Sequence, residues 1–513
     1  MDLMDLNSLK INIDDNKIIN LIIKPNNLNI NNEVINDFQK AIDYIANHKN
    51  SIGVIISNEN NSYSINYDLN YLYSLNKPAL IFENITKLSK AFRRLETLTK
   101  PIVSIISGSV SLGGLEIILH SHYKIADTDN KTKFIFRNIK YALIPAIGAS
   151  QRLPRLIGIE HSLKLFLSDT IINTEEALNI NLIDEICHKD KIEEKAKEYI
   201  FNNIISLQPW DDKNKITTQQ TPFSNDNLGY FISKIAMLHS NTSDHYPSVK
   251  TLISAIYEGL NTDINSGLKI EARHFTWLLG NIETKSMINT LILNNSKNNI
   301  KESEIAILKK SFVENYAAEG VRLLINGVTA AMIENAGKRL GFELGPLATA
   351  DNIEIQSILP QLDSIEAPVA ALIRSMQKDN RNGLSSNKGF FDYEEGCRIH
   401  LWKGLPELIP PAENQQDIKE VENRLLYSAI NNIFYNYIKY SESQSPQEYD
   451  YIAINNIGLP KWTGGPFTWV KQNNIDDYIK NNEIYAKTLG SRFVINKKII
   501  DIIQNNYSNI SLL

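Results

Sequence analysis

The chain has 513 residues, of which 43% are hydrophobic and 22% charged, with a formal net charge of -5. That length suggests about three to four domains with ordinary globular cores. The mildly acidic balance leaves no basic footprint and speaks against nucleic acid as a partner. No apolar run approaches the roughly 18 residues needed to span a bilayer. The only cysteines, Cys187 and Cys397, lie far apart; they form neither a disulfide framework nor a zinc pattern and fit a reducing, cytoplasmic setting. The opening MDLMDLNSLKINID is acidic where a targeting peptide would be basic.

In chain order, Leu9 to Ile13 and Ile18 to Ile23 are β-branched runs split by a polar turn and predict a hairpin. Val34 to Ala46 has helical apolar spacing. Ser51 to Ile56 predicts a buried strand, Ile85 to Leu98 a helix ending before Pro101, and Ile102 to Ile106 another buried strand. A helix is expected from Leu115, a strand near Tyr123 to Ala126 and a helix from about Ser150. This alternation predicts an α/β domain with covered sheets. From about Asp190 the pattern turns nearly all helical. Phe223 to Asp244 reads as a loop-bearing connector, Ser248 to Leu293 as two long amphipathic helices, and Asn295 to Glu302 as a polar linker. Helices are expected over Lys309 to Asn326 and Glu420 to Tyr440. Each is followed by a Gly-Pro turn, in GFELGPL (Gly341 to Leu347) and GLPKWTGGPF (Gly458 to Phe467), which suggests a weak internal duplication.

The strongest chemical signal is KPIVSIISGSVSLGGLE, Lys100 to Glu116. A buried strand runs into a glycine-containing turn that opens a helix. Unpaired N–H groups at such a helix start can stabilise a phosphate or an oxyanion, and the carboxylate of Glu116 sits beside them. An amide that polarises a thioester carbonyl, next to a carboxylate that handles water or a proton, is what acyl-enolate chemistry requires. The alternative is that Gly113 and Gly114 serve only a tight turn and that Glu116 is a solvated acid favoured by the helix dipole.

This stretch resembles the KPxxAxxxGxxxGGGxE signature of the crotonase (enoyl-CoA hydratase/isomerase) superfamily. FIFRNIKYALIPAIGASQRLPRLIG (Phe134 to Gly158) is similar to the family's F-x-x-P-E strand and following G-x-x-P-x-x-G-G-x-Q-R-L loop, and EEALNINLIDEI (Glu175 to Ile186) to its next block. The resemblance covers about residues 1–190. It implies an α/β crotonase fold, a spiral of ββα units like that of ClpP, and a coenzyme A thioester as substrate. Glu116 takes the place of the glutamate that orients the added water, and Gly113 of an oxyanion-hole amide. Gly114, Pro145 and Gly148 fall at substrate-binding positions. Three departures stand out. Asn138 occupies the position of the second catalytic glutamate and, with no titratable proton, is expected to be inactive. Asn66 and Tyr67 replace the Gly-Ala of the second oxyanion loop, so Tyr67 marks a degenerate position. Leu112 replaces the first of three glycines.

From about residue 245 the chain resembles the multifunctional α subunit of fatty-acid-oxidation complexes. Tyr246 to Leu293 looks like its linker helices. EGVRLLINGVTAAMIENAGKRLGFELGPLATAD (Glu319 to Asp351) and NKGFFDYEEG (Asn387 to Gly396) look like its all-α C-terminal 3-hydroxyacyl-CoA dehydrogenase domain, and Glu422 to Val470 like a second copy. The expected division is 1–190 crotonase, 191–300 helical linker region, 301–400 and 415–513 dehydrogenase-type helical domains. The NAD-binding Rossmann domain of that family has no counterpart, and no GxGxxG occurs, so no NAD or other cofactor is expected. His274 and His400 match no catalytic motif and are expected to be surface or structural residues. The resemblance implies an acyl-CoA- or enoyl-CoA-binding β-oxidation protein with residual hydratase or isomerase activity. The competing readings are a degenerate scaffold subunit that partners a thiolase β subunit or another acyl-CoA enzyme, and a decayed gene product. An oligomer is expected.

Overall fold

The computed structural model describes residues 2–507, except 25–26, 60–61, 137–141, 168–169, 213–226, 234, 236–244, 294–299, 362–366 and 441–443. The chain divides into two compact units. The first comprises residues 1–237 and 246–288, the second 238–245 and 289–513.

The first unit is built by repetition of strand, strand, helix. After the antiparallel strands β1 (Asp2–Asp5) and β2 (Leu9–Ile13), the repeats are β3 (Ile18–Ile23), β4 (Asn27–Ile30), α1 (Asn32–Asn47); β5 (Gly53–Asn58), β6 (Ser64–Tyr67), α2 (Leu69–Ser74), α3 (Pro78–Glu96); β7 (Ile102–Ile106), β8 (Ser109–Val110), α4 (Leu112–Ile118); and β9 (Tyr123–Asp127), β10 (Lys133–Ile135), α5 (Ala149–Ile157). The first strand of each repeat joins one seven-stranded sheet, in the order β1-β2-β3-β5-β7-β9-β12, with β12 at Glu185–Cys187, while β11 (Ile171–Asn173) pairs with β10. Strands β3, β5, β7 and β9 are mutually parallel. The second strands pair apart from that sheet, β4 with β6 and β8 with β10. This is the ββα spiral that the sequence implied.

The central strands read as continuous apolar runs because both faces are covered. On one face Ile18, Ile55, Val103 and Ile125 pack against Ile192, Ala196 and Ile200 of a helix spanning Ile192–Asn202. On the other side of the chain's repeat, Phe38 of α1 meets Phe92 of α3 with ring centroids 5.1 Å apart. Helix α3 starts at Pro78, seven residues before the expected Ile85, because Pro at the first helical position supplies a preset φ.

Within 191–300, expected to be a helical linker region, the described residues of 191–237 and 246–288 supply further packing elements to this unit. The segment Ser206–Asp211 is strapped to the core. Gln208 donates to the His120 carbonyl (3.1 Å), Trp210 Nε1 to Glu96 (3.0 Å), and Arg93 grips Asp211 with both terminal nitrogens. The expected pair of helices over Ser248 to Leu293 is three: Pro247–Leu260, Ile264–Gly280 and Ile282–Leu293. Asp263 forces the first break, since its carboxylate caps the amides of Asn265 and Ser266. Most of the expected connector Phe223 to Asp244, and much of the linker Asn295 to Glu302, lie outside the described residues.

The second unit is mainly helical and carries the duplication. Long helices Glu302–Ile325 and Ile418–Tyr440 lead into shorter ones, Ala330–Arg339 and Pro446–Ile452, and then into helices that begin at Pro346 and Pro466. In both copies an acid from the middle helix caps the last one. Glu334 accepts from the Leu347 and Ala348 amides (2.7 and 3.2 Å), and Asp450 from those of Phe467 and Thr468 (2.8 and 3.0 Å). The helical expectation holds, with one addition. Phe391–Glu394 and Cys397–Leu401 form an antiparallel hairpin. Its two-residue loop, Glu395 and Gly396, has positive φ at both positions, the turn geometry that matches strand twist. Among the described residues no helix is long and apolar enough to cross a membrane.

At the centre of the second unit Glu319 is fully buried among three arginines. Arg424 Nε and Arg492 Nε donate at 2.5 and 2.6 Å, and Arg322 Nη1 at 3.1 Å. Burial pushes this carboxyl up, but the three guanidiniums outweigh burial and hold it far below the ordinary carboxylate range. A depressed carboxyl stabilises the fold above its unfolded value of about 4.5, and that stability is lost as pH falls towards the folded value. Removing one partner of a buried ion cluster leaves the others unpaired. Glu319→Gln is expected to cost about 3–5 kcal/mol and to flatten acid unfolding of the second unit below about pH 4.5. Denaturant melts at neutral and acidic pH measure both.

Candidate active site

The site is assembled where α4 passes under β6. Ser111 Oγ accepts from the Ile65 amide at 2.8 Å and donates to the Ile65 carbonyl, which pins the turn before α4 to the strand. The strand then runs so close to the helix that a Cβ on Gly113 would lie 2.5 Å from the Ile65 carbonyl oxygen, and one on Gly114 2.2 Å from that of Tyr63. These glycines are required for close backbone approach. Leu112, Gly113 and Gly114 are all buried.

Glu116, one helical turn on, is not the solvated acid of the alternative sequence reading, for it is 0% exposed. Both of its oxygens are engaged. Oε1 accepts from the amides of Ala146 (2.9 Å) and Ile147 (2.6 Å), and Oε2 from the hydroxyl of Tyr67 at 2.5 Å. Tyr67, at the end of β6, turns its side chain inward; its hydroxyl also accepts from the Ala146 amide at 3.1 Å. Its ring lies 5.8 Å from that of Phe275, on the helix Ile264–Gly280. Lys285 fixes the helix that follows Tyr67 by donating to the carbonyls of Tyr73 and Leu75 at 2.8 and 2.7 Å.

The turn that feeds amides to Glu116 contains Pro145 and Gly148, both buried. Gly148 has φ +112° and precedes α5, and a Cβ there would run into Arg152 and Leu268. Ser150, two residues on, donates from both its amide (2.9 Å) and its hydroxyl (2.5 Å) to Oε2 of a second carboxylate, Glu271. Arg152 is fully buried and paired with Glu96 at 2.7 Å. The structure therefore brings Gly113, Gly114, Glu116, Tyr67, Pro145 and Gly148 to one locus. Asn138 lies outside the described residues.

Sequence reasoning missed Glu271, Ser150 and Phe275. A signal for Glu271 was present, because it falls on the buried stripe Ile264, Gly267, Leu268, Ala272, Phe275 and Leu279, where an acid is out of place.

Burial raises the Glu116 carboxyl to about 7, against hydrogen bonds from Tyr67 and the amides. Burial and then the charge of Glu116 raise Glu271 to about 8. Burial and Glu116 hold the Tyr67 phenol well above its ordinary value. The chemistry open to this arrangement is narrow. A group that activates water needs a free lone pair facing a cavity; the Glu116 carboxyl instead faces a tyrosine hydroxyl and two amides. Among the described residues no cluster of three or more His, Cys, Asp or Glu could hold a metal. His274 pairs with Glu258 at 3.0 Å, and His400 lies on the exposed hairpin with Nδ1 3.4 Å from Asp392.

Residues 16–209 match the enoyl-CoA hydratase/isomerase family, a range that runs past residue 190 into the strapped segment. A fatty acid oxidation complex subunit alpha from Shewanella loihica is 28% identical over 241 residues, 46% of this chain and 33% of the relative. One from Shewanella frigidimarina is 29% identical over 197 residues, 38% and 28% of the two chains. The chain thus spans about a third of the length of the curated relatives it matches. Enoyl-CoA hydratases of known structure from Bacillus halodurans and Bacillus anthracis are 19% and 20% identical, cover 55% and 56% of this chain and 99% and 96% of their own, and superpose with TM-scores of 0.39 and 0.35. The match to that family lies within the first unit.

Tyr67→Phe deletes a donor to a buried carboxyl without changing the ring. It is expected to destabilise the first unit by about 1–3 kcal/mol, read as a shift of the denaturant midpoint.

Proposed function

We propose that this chain is a β-oxidation α-subunit-like protein whose crotonase domain has closed its acid site and serves as a non-catalytic, scaffolding component of an acyl-CoA-handling assembly. The observation that carries this reading is the 2.5 Å contact of the Tyr67 hydroxyl with Glu116 Oε2. In a hydratase mechanism that oxygen would address the water to be added. Here a side chain of the protein fills the place, in a position where the family has a residue without such a side chain. Asn138, at the position of the second glutamate, cannot act as an acid or a base. The dehydrogenase-like character of the second unit, a thiolase β-subunit partner and an oligomeric state belong to the same proposal. The two long helices and paired Gly-Pro turns of the second unit support the first of these.

A residual hydratase is the second reading. One observation favours it, a Glu116 carboxyl raised to about 7, in the range where a group can both take and give a proton. The two readings separate on hydration of crotonyl-CoA, followed by loss of the enoyl-thioester absorbance. The closed-site reading expects no turnover above buffer, and no difference between the protein and its Glu116→Gln variant. Turnover that disappears in Glu116→Gln would establish the hydratase instead. The assembly is tested by sedimentation of the full chain alone and mixed with a thiolase β subunit. A single faster species in the mixture is expected, and unchanged boundaries would count against a thiolase partner.

A further inference from the structure

The acid site contains one carboxylate too many for a simple capped glutamate. Glu271 reaches it from the helix Ile264–Gly280, and Glu116 from α4. Both are 0% exposed. The single turn Pro145–Ser150 supplies amides to both, those of Ala146 and Ile147 to Glu116 and that of Ser150 to Glu271. Glu271 Oε1, fully buried, has no hydrogen-bond partner. Among the described residues neither carboxylate has an ion-pair partner. The cation in the neighbourhood, Arg152, is committed to Glu96 at 2.7 Å and to the Ile147 carbonyl at 3.2 Å. The groups facing Glu271 are thus Glu116 of α4, Tyr67 of β6 and Ser150 and Arg152 of α5, with Glu96 of α3 behind Arg152. Glu258, on the neighbouring helix, pairs with Arg273 and His274 instead.

One negative charge beside these amides and the start of α5 is tolerable. Two buried like charges with no counter-cation are not. We propose that the Glu116–Glu271 pair must retain a proton for the helix Ile264–Gly280 to stay seated on the crotonase core, which makes that helix a protonation-dependent latch over the acid site. The direction of both carboxyls agrees, with burial and mutual repulsion raising them to about 7 and about 8. A carboxyl raised in the closed state stabilises that state fully below its open-state value of about 4.5. The advantage is lost as pH rises through the closed-state values. Below about pH 7 each proton released on opening makes opening roughly tenfold more favourable per pH unit. Above about pH 8 both groups are ionised in either state and the dependence ends.

The latch presupposes the closed acid site but not the absence of turnover, so it is tested by a readout independent of the hydration assay. Hydrogen exchange of the full chain, corrected for intrinsic chemistry, is followed in peptides covering 264–280 between about pH 5 and pH 8.5. The expected result is protection that falls roughly a hundredfold per pH unit below about pH 7, where two protons are released, roughly tenfold per unit between about pH 7 and pH 8, and then levels off. In Glu271→Gln, a neutral isostere, the slope should drop by the share of one proton and protection should persist at the alkaline end. Should that variant fold poorly, Glu116→Gln offers the same reading from the other side of the pair. Wild-type protection independent of pH, or a slope unchanged in both variants, would overturn the latch.

Discussion

The first unit depends on a buried carboxyl being satisfied by protein groups. Glu116 sits where α4 can be reached only because Gly113 and Gly114 let β6 cross its backbone. Once buried, a carboxyl costs several kcal/mol unless its oxygens are met. Two amides of the turn after Pro145 and the phenol of Tyr67 meet them. That requirement propagates outward. It sets the path of the turn, where Gly148 must adopt φ +112°. It sets the inward rotamer of Tyr67, and the position of helix α2 held by Lys285. It also places Ser150 where it can receive Glu271.

On the proposed reading, the closing of the site and its gain of packing are one event. A crotonase-type cavity needs a small residue in the loop opposite the glutamate, so that a thioester can approach. Tyrosine in that position buries a large ring against Phe275, which contributes the energy of a core aromatic pair. The same hydroxyl completes the shell around Glu116. The site has become an internal polar network, and such networks rigidify a core when every member is satisfied. Glu271 Oε1 is the member left over, and it marks where the network is weakest.

Much of this was legible in the sequence. Strand positions followed from apolar runs such as Ile102 to Ile106, because those strands are covered on both faces. The Gly-Pro turns revealed the duplication, and the structure adds its physical basis in two buried acids, Glu334 and Asp450, that cap matching helices. The crotonase resemblance led to Glu116, Gly113, Tyr67 and the Gly148 turn. What was not legible was direction. Tyr67 was read for its backbone amide, whereas its side chain is what meets Glu116; no spacing rule tells which way a strand-end residue points. The hairpin at Phe391 to Leu401 was hidden by its short strands and an unremarked Glu-Gly turn.

Glu271 shows the other limit. Its helix pattern is plain, and an acid on the buried stripe is a local inconsistency of the kind that marks function or strain. Helical periodicity identifies the stripe but not its partner, which lies 121 residues away at Ser150. The pairing arises from three-dimensional closure, when the helix pair that follows the ββα repeats folds back onto α3 and α5. A carboxylate carried in by that closure would be repelled by Glu116 if both were charged, and is held by Ser150 if one is protonated. The closing helices are therefore coupled through one proton to the residue that defines the site. The coupling follows from burial and the mutual repulsion of the two carboxylates and requires no ligand.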